Sequence, residues 1–516
     1  MSLSGAALDR PVSLATILAR GLASQPDAPA LITHDARWTY AALDAAATRL
    51  AANYLALGLQ AGDRVASLLT NSPEMFVHYL ACHRAGLVAT PLNYRYAAPE
   101  IDHALATAGV SMLVAAAERR DDLAPTAAAR LPLGVVWHGD ADTTAPTLRQ
   151  LIDRAASRPL PRPAADTPAY IFFTSGSTGM PKGVTHTHET FGWMIASCAA
   201  GFALARGEVI LPATSASHIA ANLFTLAALS VGACAIVAPR FDGDELLPML
   251  RETRPALLVM LPAALMALLR DHDAHSEDFA SVRVCLCGGD KVSAELERSY
   301  ERLTGRMIDE GYGMTETGQA THNPIAGPIR AGSVGRAAPG FELALRDADG
   351  RDVPVGTDGR LWIRAASVMA RYWNAPEATA DVLRDGWMDS GDLMRVDADG
   401  FLWFRGRQKQ LIIHDGSNIA PQEVEEALLA HPAIESAGVV GIHNLLHGET
   451  VRAYVTLRDG ATRPTAQAVI ELTRTKIAGY KAPEEIVFLD AMPLNATGKV
   501  DRVRLKRLAE DAQQPR

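Results

Sequence analysis

Apolar residues recur along the first part of the chain with two alternating periods. Residues 40–57 place Leu43, Ala47, Leu50 and Tyr54 on one helical face, and Thr39 stands where an N-cap belongs. Gly62-Asp63 makes a turn, and the apolar run 64–69 reads as a strand. Residues 73–85 are again helical, 87–92 strand-like, 99–107 helical and 110–115 a strand. Helix alternating with apolar strand predicts parallel sheets with helices on their faces. Between 116 and 169 prolines at 125, 132, 146, 159, 161, 163 and 168 break the pattern, so loops with one short helix, 148–155, are expected.

Helices follow at 189–200, 244–252, 262–271 and 294–304, with apolar strands at 256–261 and 282–287. From residue 332 the character changes. Short β-type runs at 342–346, 359–364, 393–396 and 401–405 are set off by Asp349-Gly350, Asp358-Gly359 and Asp399-Gly400. A closing unit carries helices at 421–429 and 466–477 and strands near 437–441 and 451–457. The expected fold class is α/β. A large N-terminal domain, 1–408, combines parallel-type α/β subdomains with a small β-rich subdomain, 332–408. A small mobile α+β C-terminal domain, 409–516, follows it.

Composition narrows the function. With 48% hydrophobic and 21% charged residues the chain is globular rather than disordered. A net charge of −9 argues against nucleic acid as the main partner. Cys82, Cys198, Cys234, Cys285 and Cys287 form no paired spacing, so free buried thiols in a reducing cytoplasm are expected. Residues 209–239 lack Asp, Glu, Lys and Arg. They include Pro212, His218, Asn222 and Gly232, which suits a buried helix followed by a buried strand, 233–238, better than a membrane span.

The strongest chemical signal is Thr174-Ser175-Gly176-Ser177-Thr178-Gly179-Met180-Pro181-Lys182-Gly183, directly behind an apolar strand ending at Phe173. Glycines let backbone N–H groups approach a ligand, hydroxyls add short donors and Lys182 adds charge, a combination suited to a polyphosphate. The helix expected at 189–200 starts close behind Gly183, so its positive end is expected to face phosphate. A second motif, Gly311-Tyr312-Gly313-Met314-Thr315-Glu316-Thr317-Gly318, brackets one hydroxyl and one carboxylate with glycines. A lone carboxylate beside a triphosphate acts through Mg²⁺.

Together these motifs resemble the adenylate-forming superfamily, which includes acyl-CoA and aryl-CoA ligases, and the resemblance runs over nearly the whole chain. It implies that Glu316 binds Mg²⁺, that Thr315 contacts the α-phosphate, and that Gly311 and Tyr312 line the adenine and acyl sites. Gly289, Asp290 and Glu310 are implied on the nucleotide side. Asp392, in Asp389-Ser390-Gly391-Asp392 before a hairpin, and Arg407 match the two ribose contacts, and Lys409 the hinge. Asp415 and Gly416 match the loop that approaches CoA. Lys499, in Asn495-Ala496-Thr497-Gly498-Lys499, matches the catalytic lysine that bridges carboxylate and α-phosphate. His218 matches an aromatic gate beside the acyl pocket, although a lone histidine beside an apolar helix is as often a core residue. Departures are Arg360 in place of a usual Glu, Ala365 and Arg371 in place of usual glycines, Gln410 after the hinge, and Asp290-Lys291 after Gly288-Gly289.

The resemblance implies a ligase that uses ATP, Mg²⁺ and CoA to convert a carboxylic acid to an acyl-AMP and then a thioester. Amino-acid-activating relatives place an aspartate near position 218, and only Ser, Ala and His stand there. Ala220, Ala221 and Phe224 suggest an uncharged acyl group, a medium-chain aliphatic or simple aromatic monocarboxylate. Loading of a carrier-protein thiol in place of CoA stays open, as does a homodimer. A non-catalytic nucleotide-binding protein on this fold would predict loss of Lys499, Glu316 or Lys182, and all three are present.

Overall fold

The computed structural model describes the chain except residues 1–2, 141–144, 157, 175–180, 291, 415–416, 445–447, 496–497 and 514–516. The helix Tyr40–Ala56 forms as its pattern predicts, with the Thr39 side chain accepting from the Ala42 N–H. The helix Pro73–Ala85 starts on Ser72, which accepts from Met75 N–H, and ends on Gly86 in the left-handed region. Both helices pack beside two sheets, and one large apolar core spans them, including Tyr40, Leu50, Tyr79, Tyr170, Phe191 and Phe224.

The first is a seven-stranded sheet whose strands Arg64–Leu68, Val88–Pro91, Met112–Ala116 and Val135–His138 run parallel. The second is a nine-stranded sheet built on parallel strands Val209–Ala213, Cys234–Ile236, Leu257–Met260, Val284–Gly288 and Asp309–Met314. These strands read as near-continuous apolar runs because helices cover both faces. A six-stranded antiparallel sheet contains Phe341–Arg346, Asp358–Ala365, Trp387–Val396 and Leu402–Arg407. The amino-terminal pair Leu3–Ser4 joins its edge, while Arg336–Ala337 and Arg371–Tyr372 border the other two sheets. After the 3-10 turn Gln408–Gln410 a five-stranded sheet begins at Ile412–His414. The helices Pro421–Leu429 and Ala466–Arg474 pack on it.

Four local expectations change. The phosphate-loop segment is followed by the strand Lys182–Thr187, which pairs antiparallel with Pro168–Thr174 from Thr174↔Lys182 to Pro168↔Thr187. The helix His188–Gly201 therefore starts at the far end of that hairpin, a strand's length from Thr174 and Lys182 and not close behind Gly183. The strand Val135–His138 lies in the proline-rich stretch expected to be loop with one helix. Asp392 sits within the ten-residue strand Trp387–Val396, so it belongs to the first arm of the hairpin with Leu402–Arg407 rather than preceding it. The uncharged segment after residue 209 holds a strand, Val209–Ala213, as well as the helix Ile219–Val231 and the strand Cys234–Ile236. Among the described residues no helix is long and apolar enough to cross a membrane. All five cysteines are buried free thiols.

Candidate functional site

The ends of three sheets and one C-terminal loop meet at a cluster of polar groups. Thr174 and Lys182 are opposite one another where the hairpin opens into residues 175–180. Ser175, Gly176, Ser177, Thr178 and Gly179, and likewise Asp415 and Gly416, lie outside the described residues. Lys182 Nζ stands 5.1 Å from the centroid of the Tyr372 ring. The Tyr372 hydroxyl donates to Glu316 Oε1 at 2.8 Å. Two more bonds hold the turn that carries Glu316: Met369 N–H donates to the Glu316 carbonyl at 2.7 Å, and Ser367 Oγ to the Thr317 carbonyl at 3.1 Å.

Glu316 is buried, not a surface-turn residue. Burial raises its pKa, and the Tyr372 hydroxyl and Arg407 oppose that rise. Half-buried Thr315 precedes it, and its carbonyl accepts from His186 Nε2 at 2.8 Å. His186 lies on the strand leaving the phosphate loop, so this bond ties the first motif to the second. Burial pushes its pKa down to about 4, keeping the ring neutral.

Asp392 is held on both oxygens. Tyr312 Oη donates to Oδ2 at 2.6 Å and Arg407 Nε to Oδ1 at 2.9 Å. Arg407 is opposite Asp392 in the antiparallel register, which places the pair without help from a loop. In the nine-stranded sheet, Gly288 pairs with Gly311. A Cβ at Gly311 would come within 2.1 Å of Gln319 Nε2 and 3.1 Å of the Thr321 carbonyl, so a side chain there requires Gln319 to move aside. Gly289 follows at φ +83° in the left-handed region. Glu310 and its neighbour Asp309 are buried. Asp309 accepts from the backbone and side chain of Asn323, and burial still raises it to about 6.

Lys499 reaches this cluster from the C-terminal unit. Its loop is a tight turn in which Asn495 N–H donates to the Lys499 carbonyl at 2.7 Å, Lys499 N–H to Asn495 Oδ1 at 3.1 Å, and Gly498 takes φ +83°. Burial lowers the Lys499 ammonium. Asp290 and Asp392 oppose that shift, while Arg407 and Arg502 add to it. Asp290, in the place of a residue usual in relatives, thus has the largest opposing effect among the charges acting on Lys499. Of Lys409 only the backbone, in the turn Gln408–Gln410, is described.

His218 is the N-cap of the helix Ile219–Val231, without a side-chain cap bond. The preceding loop is clamped by Asn71, which donates to the Thr214 carbonyl at 2.9 Å and accepts from Ala216 N–H at 2.7 Å. One turn into the helix, Asn222 accepts from Tyr170 Oη at 3.0 Å. His218 is also within electrostatic reach of Lys499 and Arg95. Sequence reasoning did not single out His186, Tyr372, Asn93 or Arg95. Each acts on a motif residue far away in the chain and has no motif of its own. Of the departures, Arg360 forms a two-pronged pair with buried Asp389, Nε to Oδ1 at 2.6 Å and Nη2 to Oδ2 at 2.5 Å. Arg371 stacks over Trp373 at 5.4 Å.

The arrangement offers a polyphosphate a loop and a lysine, a metal one buried carboxylate, a ribose an aspartate, and a reacting acid a second lysine. Mg²⁺ binds with one or two carboxylates plus substrate phosphates, and Glu316, one ring away from Lys182, fits such partial ligation.

The family model described as AMP-binding enzyme matches residues 18–373, and that of the AMP-binding enzyme C-terminal domain matches 423–499. The chain is 35% identical over 476 residues to feruloyl-CoA synthase of Amycolatopsis sp, covering 91% of this chain and 93% of the relative. It is 35% identical over 485 residues to indoleacetate-CoA ligase of Aromatoleum aromaticum, covering 91% and 93%. ATP-bound MatB from Rhodopseudomonas palustris superposes with a TM-score of 0.89 at 30% identity, over 97% of this chain and 100% of that one. Enzymes of this group use ATP, Mg²⁺ and CoA. The chain belongs to the AMP-binding enzymes of the adenylate-forming superfamily, and within them to the AMP-forming acyl- and aryl-CoA ligases.

Proposed function

We propose that the chain activates a medium-chain aliphatic or simple aromatic monocarboxylate and transfers it to CoA, with Lys499, Glu316, Lys182, Asp392 and Arg407 as the working side chains. The observation that carries this reading is the position of Lys499, among Asp290, Asp392, Arg407 and His218. In the first step a carboxylate oxygen attacks the α-phosphorus and the bond to pyrophosphate breaks. Charge grows on the phosphoryl oxygens, where a positioned ammonium stabilises it. Lys182 and the loop hold the leaving pyrophosphate, and Asp392 with Arg407 orients the ribose. Bound at Glu316, Mg²⁺ would neutralise phosphate charge. In the second step the CoA thiol, having lost its proton, attacks the acyl carbonyl, a thioester forms and AMP leaves.

During adenylation Lys499 would stand at the reacting carboxylate, where the thiol must later arrive. The same site therefore needs a different lining for the second step, which is a physical reason for the unit after Lys409 to turn. The acid is argued from the start of the helix Ile219–Val231. Its first turn has no acidic residue, and Ala221 and Phe224 are buried. An α-ammonium there would lack a counter-charge. Relatives named for feruloyl and indoleacetate thioesters favour the aromatic side of this range.

The test is pyrophosphate release with Mg·ATP across aliphatic, benzoic, phenylacetic and cinnamic-type acids, with and without CoA, beside Lys499→Ala. Acid-dependent release sustained only with CoA, and reduced at least about a hundredfold in the variant, is expected. Release indifferent to CoA would move the acceptor to a carrier-protein thiol. No release with any acid would overturn the reading.

A further inference from the structure

Asn93 follows the strand Val88–Pro91 and is 6% exposed. Its Oδ1 accepts from the Arg95 backbone N–H at 2.9 Å. A backbone N–H can only donate, so that end of the amide must be oxygen. The other end, Nδ2, stands 3.2 Å from His218 Nε2. An amide nitrogen can only donate, so Nε2 must accept, and a neutral ring must carry its hydrogen on Nδ1. Among the described residues Nδ1 has no hydrogen-bond partner.

The charges around the ring point the same way. Lys499 comes from the C-terminal loop and Arg95 from the loop of Asn93 itself, and both disfavour a cation at His218. Burial is the largest cause, and together they push the ring down to about 4. A protonated ring would lose the bond from Asn93 and stand beside two cations. It would also pair with an incoming carboxylate in competition with Lys499 and lower its nucleophilicity.

We propose that Asn93 is a positioning residue that holds His218 as the uncharged, Nδ1-protonated tautomer, so that a neutral N–H donor and not an imidazolium stands beside Lys499 where the acid reacts. The tautomer follows from the hydrogen bonds alone. Its kinetic consequence rests on the ligase reading.

Asn93→Asp is the informative variant. One carboxylate oxygen still accepts from Arg95 N–H, which keeps the loop, while the donor facing Nε2 becomes an acceptor. The measurement is imidazole ¹H–¹⁵N correlation on the full chain labelled at histidine, with His218→Gln identifying one signal among 15 histidines. At neutral pH the unsubstituted protein should show hydrogen on Nδ1 and a bare Nε2. The Asp variant should show hydrogen on Nε2. Acid-dependent pyrophosphate release in that variant should have its acidic limb moved up by about one pH unit or more, with kcat lowered more than KM for ATP is raised. Asn93→Leu, which removes the donor without adding charge, should lower kcat and leave the limb in place. A protonated Nε2 in the unsubstituted protein, or an Asp variant that moves neither signal nor limb, would overturn the proposal. A protein that releases pyrophosphate with no acid overturns the ligase reading instead, and the spectra still decide the tautomer.

Discussion

The Tyr372 hydroxyl donates to Glu316 Oε1, and Lys182 Nζ lies against the same tyrosine ring. One aromatic side chain thus connects Lys182 with Glu316, the groups proposed to hold phosphate and Mg²⁺. It comes from a two-residue strand, Arg371–Tyr372, at the edge of the seven-stranded sheet.

Tyr372→Phe removes the donor and leaves the ring under Lys182. A hydrogen bond to a charged group contributes about 1.5–3 kcal/mol. Glu316, already raised by burial, should rise further, and the acidic limb of pyrophosphate release should move up. The Mg²⁺ concentration for half-maximal rate should rise about tenfold, as a Mg²⁺ titration at fixed ATP would show.

Asp392→Asn keeps the shape but removes the charge shared by Tyr312 and Arg407. The Arg407 side chain is 40% exposed, so water takes up part of the loss. Destabilisation should stay near about 1–3 kcal/mol, while KM for ATP rises more than tenfold. Urea melts and ATP titrations separate the two effects.

Two ion pairs join the C-terminal unit to the large one: Arg458 Nη2 to Glu295 Oε2 at 2.8 Å, and Arg270 Nη2 to Glu435 Oε1 at 3.0 Å. Each is partly exposed and contributes about 0.2–1 kcal/mol. The double variant Glu295→Gln, Glu435→Gln should slow pyrophosphate release several-fold at low salt and match the parent at high salt. Thioester formation from supplied acyl-AMP should be unchanged. An equal slowing of both half-reactions would reject this assignment.

His78 packs against Tyr54, and His83 against Tyr170 and His188. Burial lowers His78 to about 3, His188 to about 4, and His83 well below its ordinary value. The unfolded chain binds protons at these groups below about 6.5 and the folded chain does not, so stability falls as pH drops through that window. Neither ring nitrogen of His83 has a hydrogen-bond partner among the described residues. His83→Leu should therefore lose less stability than the parent between pH 7.5 and 5.5, measured by urea unfolding at each pH.

Most helices were legible in the sequence, because they depend on neighbours. Thr39 caps its helix and Ser72 precedes Pro73 within a few residues, and Glu316 sits among its own glycines. The strand Lys182–Thr187 was not legible: Val184 is its only large apolar residue, and its pairing with Pro168–Thr174 supplies the order. That missing strand misdirected the helix His188–Gly201 toward the phosphates.

By itself, then, the sequence determined the alternation of elements and the motifs that carry Glu316 and Lys499, since local propensity and short motifs specify these. Only the tertiary structure decided which partners those groups meet. Tyr372 reaches Glu316 across 56 positions, His186 reaches Thr315 across 129, and Asn93 reaches His218 across 125. Such pairs are fixed by sheet register and by packing between units, and no periodicity along the chain records them.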